Sequence, residues 1–235
     1  MFVKRMARKL KVADPGAAPR VPLTQDRVLR AAIALADEDG IESLSMRRLG
    51  RALGVEAMSL YNHVADKEAI LGGLIELVLS EIEPPSPAEE WEVAVRRFAI
   101  SAHRALLSHP WASNLVLTSR GGAVAQKARM LYIESLLGRL REAGFSPELT
   151  YHAYHALDSH ILGFTVWEIG HEVAADPSGG AAIANFVRSL SRDDFPNLIE
   201  HAEQHFGESV VDGDGEFEFG LDLLLDGLRK LRDNS

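Results

Sequence analysis

The stretch LSMRRLGRALGVEAMSLYNHVADK, residues 44–67, contains two short helical patterns separated by a tight turn. Ser45 can cap the first helix, and Gly54 can adopt the left-handed backbone conformation that ends a helix and turns the chain. The second run places Leu60 and Val64 on its apolar side. Two short helices joined in this way predict a helix-turn-helix, whose second helix enters the major groove of DNA.

The side chains that face away from this apolar side are short, polar or aromatic, which suits contacts with base edges, thymine methyl groups and phosphates. They are Ala57, Met58, Ser59, Tyr61, Asn62 and His63. Arg47 and Arg48, at the start of the first helix, can reach phosphate or guanine. Tight turns between short helices also occur in helical proteins that bind no DNA, so the pattern alone leaves both interpretations open.

Specific residues in this region resemble the DNA-binding domain of the tetracycline-repressor (TetR) family. The resemblance lies in LGV, SLYNHV and the DK that opens the next helix. Further segments, ALLSHPW, TSR at 118–120, EAGFSPEL and FEFGLDLLLDGL, are similar to the regulatory domain of that family, so the resemblance covers nearly the whole chain from Thr24. It implies a ligand-responsive repressor that binds a pseudo-palindromic double-stranded operator. A small molecule in the C-terminal domain would shift a linking helix and release the DNA.

The resemblance also implies roles for individual residues. By position, Arg47, Ala57 and Met58 correspond to base contacts. A second set corresponds to contacts with bases or phosphates: Ser45, Ser59, Tyr61, Asn62, His63 and Lys67. Ala57 departs from the tetracycline-responsive members, which have a base-reading amide there, because alanine offers only a methyl contact. We therefore expect a different operator sequence.

The ligand-binding residues depart from the tetracycline-responsive members as well. Val116 replaces their magnesium-binding histidine, and Phe98 and Glu83 replace a pocket asparagine and a second histidine. Neither metal-bound tetracycline nor its magnesium site is expected. The expected pocket favours an apolar or aromatic effector and uses Phe98, Val116, Phe164 and Trp167, with His103 or His160 as polar anchors.

Charge is divided unevenly along the chain of 235 residues, whose net charge is −9. Residues 1–67 carry 12 Lys and Arg against 8 Asp and Glu, whereas the remaining residues carry 13 against 26. A basic DNA-binding end on an acidic body is consistent with a polyanionic partner. The predicted organisation is a flexible basic arm (1–22), a DNA-binding domain (23–67) and a C-terminal regulatory and dimerisation domain (68–235). The arm either follows DNA or is a disordered tail.

Composition excludes several other classes of protein. No run approaches the roughly 18 apolar residues of a membrane span, and the N-terminal charges are not followed by the apolar region of a signal peptide. The chain has no cysteine, which excludes disulfides and thiolate chemistry and is compatible with the cytoplasm. We expect a cytoplasmic protein with no membrane partner.

Helical patterns predict an all-α fold, with three N-terminal helices and a larger C-terminal helical domain. Thr24 caps the first helix, which ends near Gly40, and Asp66 caps a linking helix over about 67–82. PPSP at 84–87 interrupts the chain, and the sequence from Ser86 to Glu89 predicts a new helix start. Further helices are predicted over about 88–108, 111–118, 123–143, 147–174, 181–190, 194–206 and 215–232.

Two of these helices carry regular apolar stripes. The last helix has a coiled-coil spacing at Phe217, Leu221, Leu224, Leu228 and Leu231. The helix at 147–174 has a row of mostly small residues at Leu149, Ala153, Ala156, His160, Gly163 and Trp167. Together the helices at 147–174 and 215–232 predict a homodimer joined by a four-helix bundle. Both stripes could instead belong to the core of one subunit.

Nine histidines raise the alternative of a helical metal-dependent enzyme. His201 and His205 are four residues apart, and His152 and His155 are three apart, but neither pair has the acid of an HExxH motif or an identifiable third ligand. The chain also lacks a Gly-rich phosphate loop and a nucleophile elbow. We therefore expect no catalytic residues, metal or cofactor. A helical adaptor that does not bind DNA is a further alternative.

Overall fold

The computed structural model describes residues 22–118, 121–174, 185–187, 189–205 and 214–234. These residues form helices, turns and connecting segments with no β-strand, which confirms the predicted all-α class. The predicted basic arm lies outside the described residues except for Pro22, as do the loop at 176–180 and most of the acidic loop at 207–215. None of the described helices is long and apolar enough to cross a membrane.

The N-terminal domain, called the head below, has three α-helices and a short 3₁₀ turn. Its elements are α1 (Gln25–Asp39), the turn Ile41–Ser43, α2 (Met46–Leu53) and α3 (Ala57–Leu60). The predicted caps are present, because the hydroxyl of Thr24 accepts from the backbone N–H of Arg27 and that of Ser45 accepts from Arg48. Gly54 ends α2 with a φ of 68°. Local sequence signals therefore determine the starts of α1 and α2 and the end of α2.

The linking helix α4 (Lys67–Ser80) begins where predicted, because the Asp66 carboxylate accepts from the N–H of Ala69 at 2.8 Å. It ends two residues early, although Ile82 is buried beyond it. Within it, two adjacent buried glycines face opposite neighbours. A Cβ atom on Gly72 would overlap the carbonyl oxygen of Gly121, and one on Gly73 would lie 2.7 Å from the side chain of Leu29 in α1. These glycines let α4 pack closely against both domains.

The larger C-terminal domain, called the body below, has six further helices within the described residues. They are α5 (Trp91–Ser108), α6 (Pro110–Leu117), α7 (Gly122–Glu142), α8 (Pro147–Ala174), α9 (Pro196–His205) and α10 (Asp214–Asp233). Residues 185–187 are also helical. The core runs continuously from α1 and α4 through α5, α6, α7 and α8 to α10.

The predicted helix start at Ser86, Pro87 and Glu89 was wrong, because α5 begins at Trp91. The Ser86 hydroxyl accepts from the N–H of Ala88, two residues away, within a turn. The Glu89 carboxylate accepts a hydrogen bond of 2.7 Å from Arg97, while its carbonyl accepts from Arg139. Tertiary contacts thus occupy the acid that the capping pattern assigned to a helix end.

The predicted intersubunit stripe on α10 was partly wrong. Phe217, Leu221 and Leu228 are buried within this subunit, where α10 packs on α5 and α8. Ion pairs from Arg96 of α5 to Glu218 (2.5 Å) and to Asp222 join the helices beside this contact. Leu231 of the predicted stripe is exposed, together with Phe219 and Leu223, which lie outside the stripe.

Candidate nucleic-acid interface and ligand cavity

The residues expected to contact DNA lie at the N-cap and on the first turn of α2, on α3, in the turn after α3 and at the first residue of α4. Six of them are exposed: Ser45, Arg47, Met58, Tyr61, Asn62 and Lys67. Ala57, Ser59 and His63 are half-buried. Met58 is 73% exposed although it is apolar, while its neighbour Leu60 is fully buried. The head therefore has a packed inner face and an outer face of side chains suited to base edges and phosphates.

The two adjacent arginines of α2 differ in their surroundings. Arg48 forms an ion pair with Asp39 at the end of α1. Arg47 is exposed, and no ion pair to it is found within the described residues. Arg47 is thus the better placed of the two for a DNA phosphate or a guanine, whereas Arg48 helps to join α1 to α2.

The six residues expected to bind a ligand do not all lie together: one lines a cavity, four belong to an aromatic cluster, and Val116 lies in neither. Phe98 lines a cavity of about 400 Å³ between α4, α5 and α7. Its ring centroid lies 5.0 Å from that of Tyr132, which also lines the cavity. Leu79, Ile82 and other residues near the end of α4 complete one wall. A shift of α4 would therefore change the shape of this cavity.

Four other expected ligand residues lie together in a packed aromatic cluster around Phe217. The imidazoles of His103 and His160 stack on that ring at centroid distances of 4.0 and 4.8 Å, and Phe164 lies 5.2 Å from Trp167. Nδ1 of the buried His103 lies 2.8 Å from the Thr165 hydroxyl oxygen, and Nε2 lies 3.1 Å from the Glu168 carboxylate. The cluster consists of Phe217 and the four expected residues His103, His160, Phe164 and Trp167. Val116 is half-buried against the core.

Tyr132 of the cavity wall also belongs to a polar group that no sequence pattern predicted. The hydroxyls of Tyr132 and Tyr154 donate to the two carboxylate oxygens of Asp158, at 3.5 and 3.4 Å. Burial, and then the nearby Asp158 charge, raise the pKa of Tyr132 well above its usual value and that of Tyr154 to about 12. Burial also raises the pKa of the Asp158 carboxyl. These residues come from α7 and α8, so no sequence motif joins them.

The histidine pairs considered as metal ligands lie on two helices. His152 and His155 are on α8 and contact the ring of Tyr151, while His201 and His205 are on α9. Across the described part of the chain, no three His, Cys, Asp or Glu side chains form a group that could hold a metal ion.

The fold and these sites define a helix-turn-helix regulator that carries a separate helical ligand domain. Residues 28–74 match the model of bacterial regulatory proteins of the tetR family, and residues 83–232 match that of the tetracyclin repressor-like C-terminal domain. The chain belongs to the TetR family. It is accordingly a ligand-responsive DNA-binding repressor, and the metal-enzyme alternative is not favoured.

Individual relatives extend this similarity over most of the chain. The transcriptional repressor DrrR1 of Streptomyces coeruleorubidus is 31% identical over 92% of this chain and 81% of its own length. The class A tetracycline repressor of transposon 1721 from Escherichia coli is 32% identical over 89% of this chain and 92% of its own length. The solved structure of ActR from Streptomyces coelicolor, in complex with actinorhodin, is 27% identical with a TM-score of 0.68, over 90% of this chain and 99% of ActR.

Proposed function

We propose that this protein binds a pseudo-palindromic operator as a homodimer in the cytoplasm and is released by a small molecule that enters the cavity beside Phe98. The observation that carries the proposal is the position of α4. Its first residue, Lys67, belongs to the expected DNA-contact set, and its last turn forms a wall of the cavity. Its 14 residues span about 20 Å at the rise of an α-helix. A displacement of one end would therefore move the other.

For DNA, we propose that Arg47, Ala57 and Met58 contact bases. Ser45, Ser59, Tyr61, Asn62, His63 and Lys67 would contact bases or phosphates. The exposure of Met58 and the short side chain of Ala57 support apolar contacts with thymine methyl groups. The expected operator therefore carries thymine opposite α3.

Dimerisation would place two heads on the two half-sites of the operator. The exposed apolar side chains of α8 and α10 support this assembly. Among them are Val166, Trp167, Phe219 and Leu223. We propose that these residues, rather than the buried Phe217 and Leu221, form the four-helix contact between subunits.

The effector proposed for the cavity is a flat aromatic molecule that packs against Phe98 and Tyr132. ActR, a structural relative, was solved in complex with actinorhodin. Magnesium-bound tetracycline is not proposed, because Val116 supplies no metal ligand and the Glu83 carboxylate is exposed and paired with Arg97 at 3.3 Å.

The operator can be tested by selection from a pool of random-sequence DNA duplexes with the full-length protein. We expect enrichment of an inverted repeat whose binding weakens steeply as salt concentration rises, because phosphate contacts release counterions. Failure to enrich any duplex at low salt would contradict the proposal.

The effector site can be tested by thermal shift with actinorhodin as the probe and magnesium-tetracycline as the comparison. We expect stabilisation by the first compound only, and its loss in Phe98→Ala. Phe195→Ala serves as the matched control, because Phe195 is 46% exposed and does not line the cavity. Stabilisation by magnesium-tetracycline would reverse the assignment.

A further inference from the structure

Four side chains meet where the head touches the body, and we call them the His109 bridge. They are Asp37 near the end of α1, Glu81 at the end of α4, His109 between α5 and α6, and Trp111 in α6. The Trp111 indole N–H donates to Oδ1 of Asp37 at 2.6 Å, and Nδ1 of His109 lies 2.8 Å from the same oxygen. Nε2 of His109 lies 3.3 Å from a Glu81 carboxylate oxygen. One imidazole thus connects two helices of different domains.

The two contacts of His109 differ in their surroundings. Its side chain is largely buried, and Asp37 is more shielded from solvent than Glu81, whose side chain is 50% exposed. Hydrogen bonds to a carboxylate are stronger when water is excluded. The contact of His109 with Asp37, whose carboxylate also accepts from Trp111, is therefore the stronger of the two. The imidazole can donate to both carboxylates at once only as the imidazolium, because the neutral ring has a single N–H.

The bridge supplies a second point of attachment for the head. The first is α4, which joins the domains covalently and packs against Leu29 of α1 through Gly73. A domain held along one helix can turn about that helix, whereas a second contact outside the helix restricts the turn. Asp37 supplies such a contact, because it lies on α1 and binds His109 and Trp111 of the body.

The bridge also reaches the cavity. Glu81 lies between Ser80 and Ile82, which both line the cavity wall. A molecule that displaces residues 80–82 would move Glu81 relative to His109, which is hydrogen-bonded to Asp37. We infer that Asp37 is a positioning residue that sets the angle of the head through His109 and Trp111, and that Glu81 couples this angle to the end of α4. This inference rests on the proposed function.

The first test is a double-mutant cycle with Asp37→Asn and Glu81→Gln, measured by fluorescence anisotropy on the selected operator duplex. We expect Asp37→Asn to change the dissociation constant by about tenfold. The effect of the double variant should differ from the product of the single effects by at least about threefold, because both substitutions act through His109. This coupling should disappear in a His109→Gln background.

The matched control is Glu38→Gln, which removes the same charge from the next residue of α1, where the side chain is exposed. We expect it to leave operator affinity nearly unchanged and to be additive with Glu81→Gln. Additivity of Asp37→Asn with Glu81→Gln, or an equal effect of Glu38→Gln, would overturn the inference. If Asp37→Asn does not fold by circular dichroism, Trp111→Phe removes one donor to the same carboxylate and takes its place in the cycle.

A second test needs no DNA and separates failure of the inference from failure of the proposed function. Because the chain has no cysteine, Ala52→Cys in the head and Ala88→Cys in the body provide specific sites for a pair of spin labels. In a mixture with excess unlabelled protein, pulsed electron paramagnetic resonance measures the distance between the two spin labels of one subunit. Asp37→Asn should broaden or shift this distance distribution and Glu38→Gln should not. Identical distributions would refute the positioning role even if operator binding is confirmed.

Discussion

The head and the body use the same kind of helix, but different forces decide which side of each helix faces outwards. In the head, hydroxyl caps mark the starts of α1 and α2, and the residues that follow have one evident apolar side. In α10 of the body, apolar residues occur on several sides, so Phe217 is buried while Phe219 is 68% exposed. The comparison shows that local pattern is sufficient for a short helix with one apolar side. For a helix with several apolar sides, the neighbouring helices must be known before the buried side can be identified.

The largest expected effect comes from the buried side of α10. Phe217→Ala should lower the free energy of unfolding by about 3–5 kcal/mol, because it removes a buried ring and leaves a cavity. Phe219→Ala, two positions away, should change subunit folding little and instead weaken the dimer. Denaturant unfolding and sedimentation at a fixed protein concentration measure the two effects. Equal losses of folding stability would show that both sides of α10 belong to the core of one subunit.

A smaller effect is expected where the head, α4 and the body meet. Gly72→Ala places a methyl group against the backbone of Gly121, and we expect a net loss of about 2 kcal/mol from overpacking. The control is Gly138→Ala on α7, where no atom lies within 4 Å of the new Cβ. That substitution should stabilise the protein by up to about 1 kcal/mol through helix propensity. Thermal unfolding distinguishes the signs, and stabilisation by Gly72→Ala would contradict the close contact.

On the outer face of the head, Arg47→Ala should weaken operator binding by about 1–2 kcal/mol without changing thermal stability. Arg30→Ala removes the same charge from α1, where Arg30 pairs with Asp26 at 2.9 Å, and should have a much smaller effect. Titrations of the selected duplex at two salt concentrations measure the loss of operator affinity in both variants. Equal losses would indicate that only the overall charge of the head matters.

The smallest effect concerns Tyr154, whose hydroxyl shares the Asp158 carboxylate with that of Tyr132. Since folding raises the pKa of Tyr154 to about 12, its un-ionised form is favoured in the folded state. The associated stability is complete below the ordinary tyrosine pKa of about 10 and is lost as pH rises through the folded value. Tyr154→Phe should therefore reduce the loss of stability between these values. The measurement is thermal unfolding across the alkaline range, and an unchanged pH dependence would exclude Tyr154 as its source.

Local signals predicted the helices of the head and the limits of α4, α7 and α8 within a few residues. These local signals did not predict contacts between segments that are distant in the sequence. Glu89 looked like a helix cap in the sequence, but it binds Arg97 and Arg139 in the structure. Similarly, Tyr132 meets Asp158 across 26 residues and Asp37 meets His109 across 72, and neither pair belongs to a motif.

The expected ligand residues show the same limit. Phe98 lines a cavity, whereas His103, His160, Phe164 and Trp167 pack around Phe217. Alignment by position identifies residues in the same region of a fold, but it cannot determine which of them border open space. That depends on the sizes of all the neighbouring side chains, including Tyr132 from another helix.

The adjacent glycines of α4 make its two sides mechanically unequal. At Gly72 the main chain of α4 meets the main chain of Gly121, so no rotamer change can absorb a displacement on the side of the body. At Gly73 the neighbour is the side chain of Leu29, whose torsions can adjust. A displacement of the body is therefore passed to α4 through main-chain contact at Gly72. At Gly73 the contact with α1 runs through the side chain of Leu29, so the side chain at position 29 would tune how sharply the head responds.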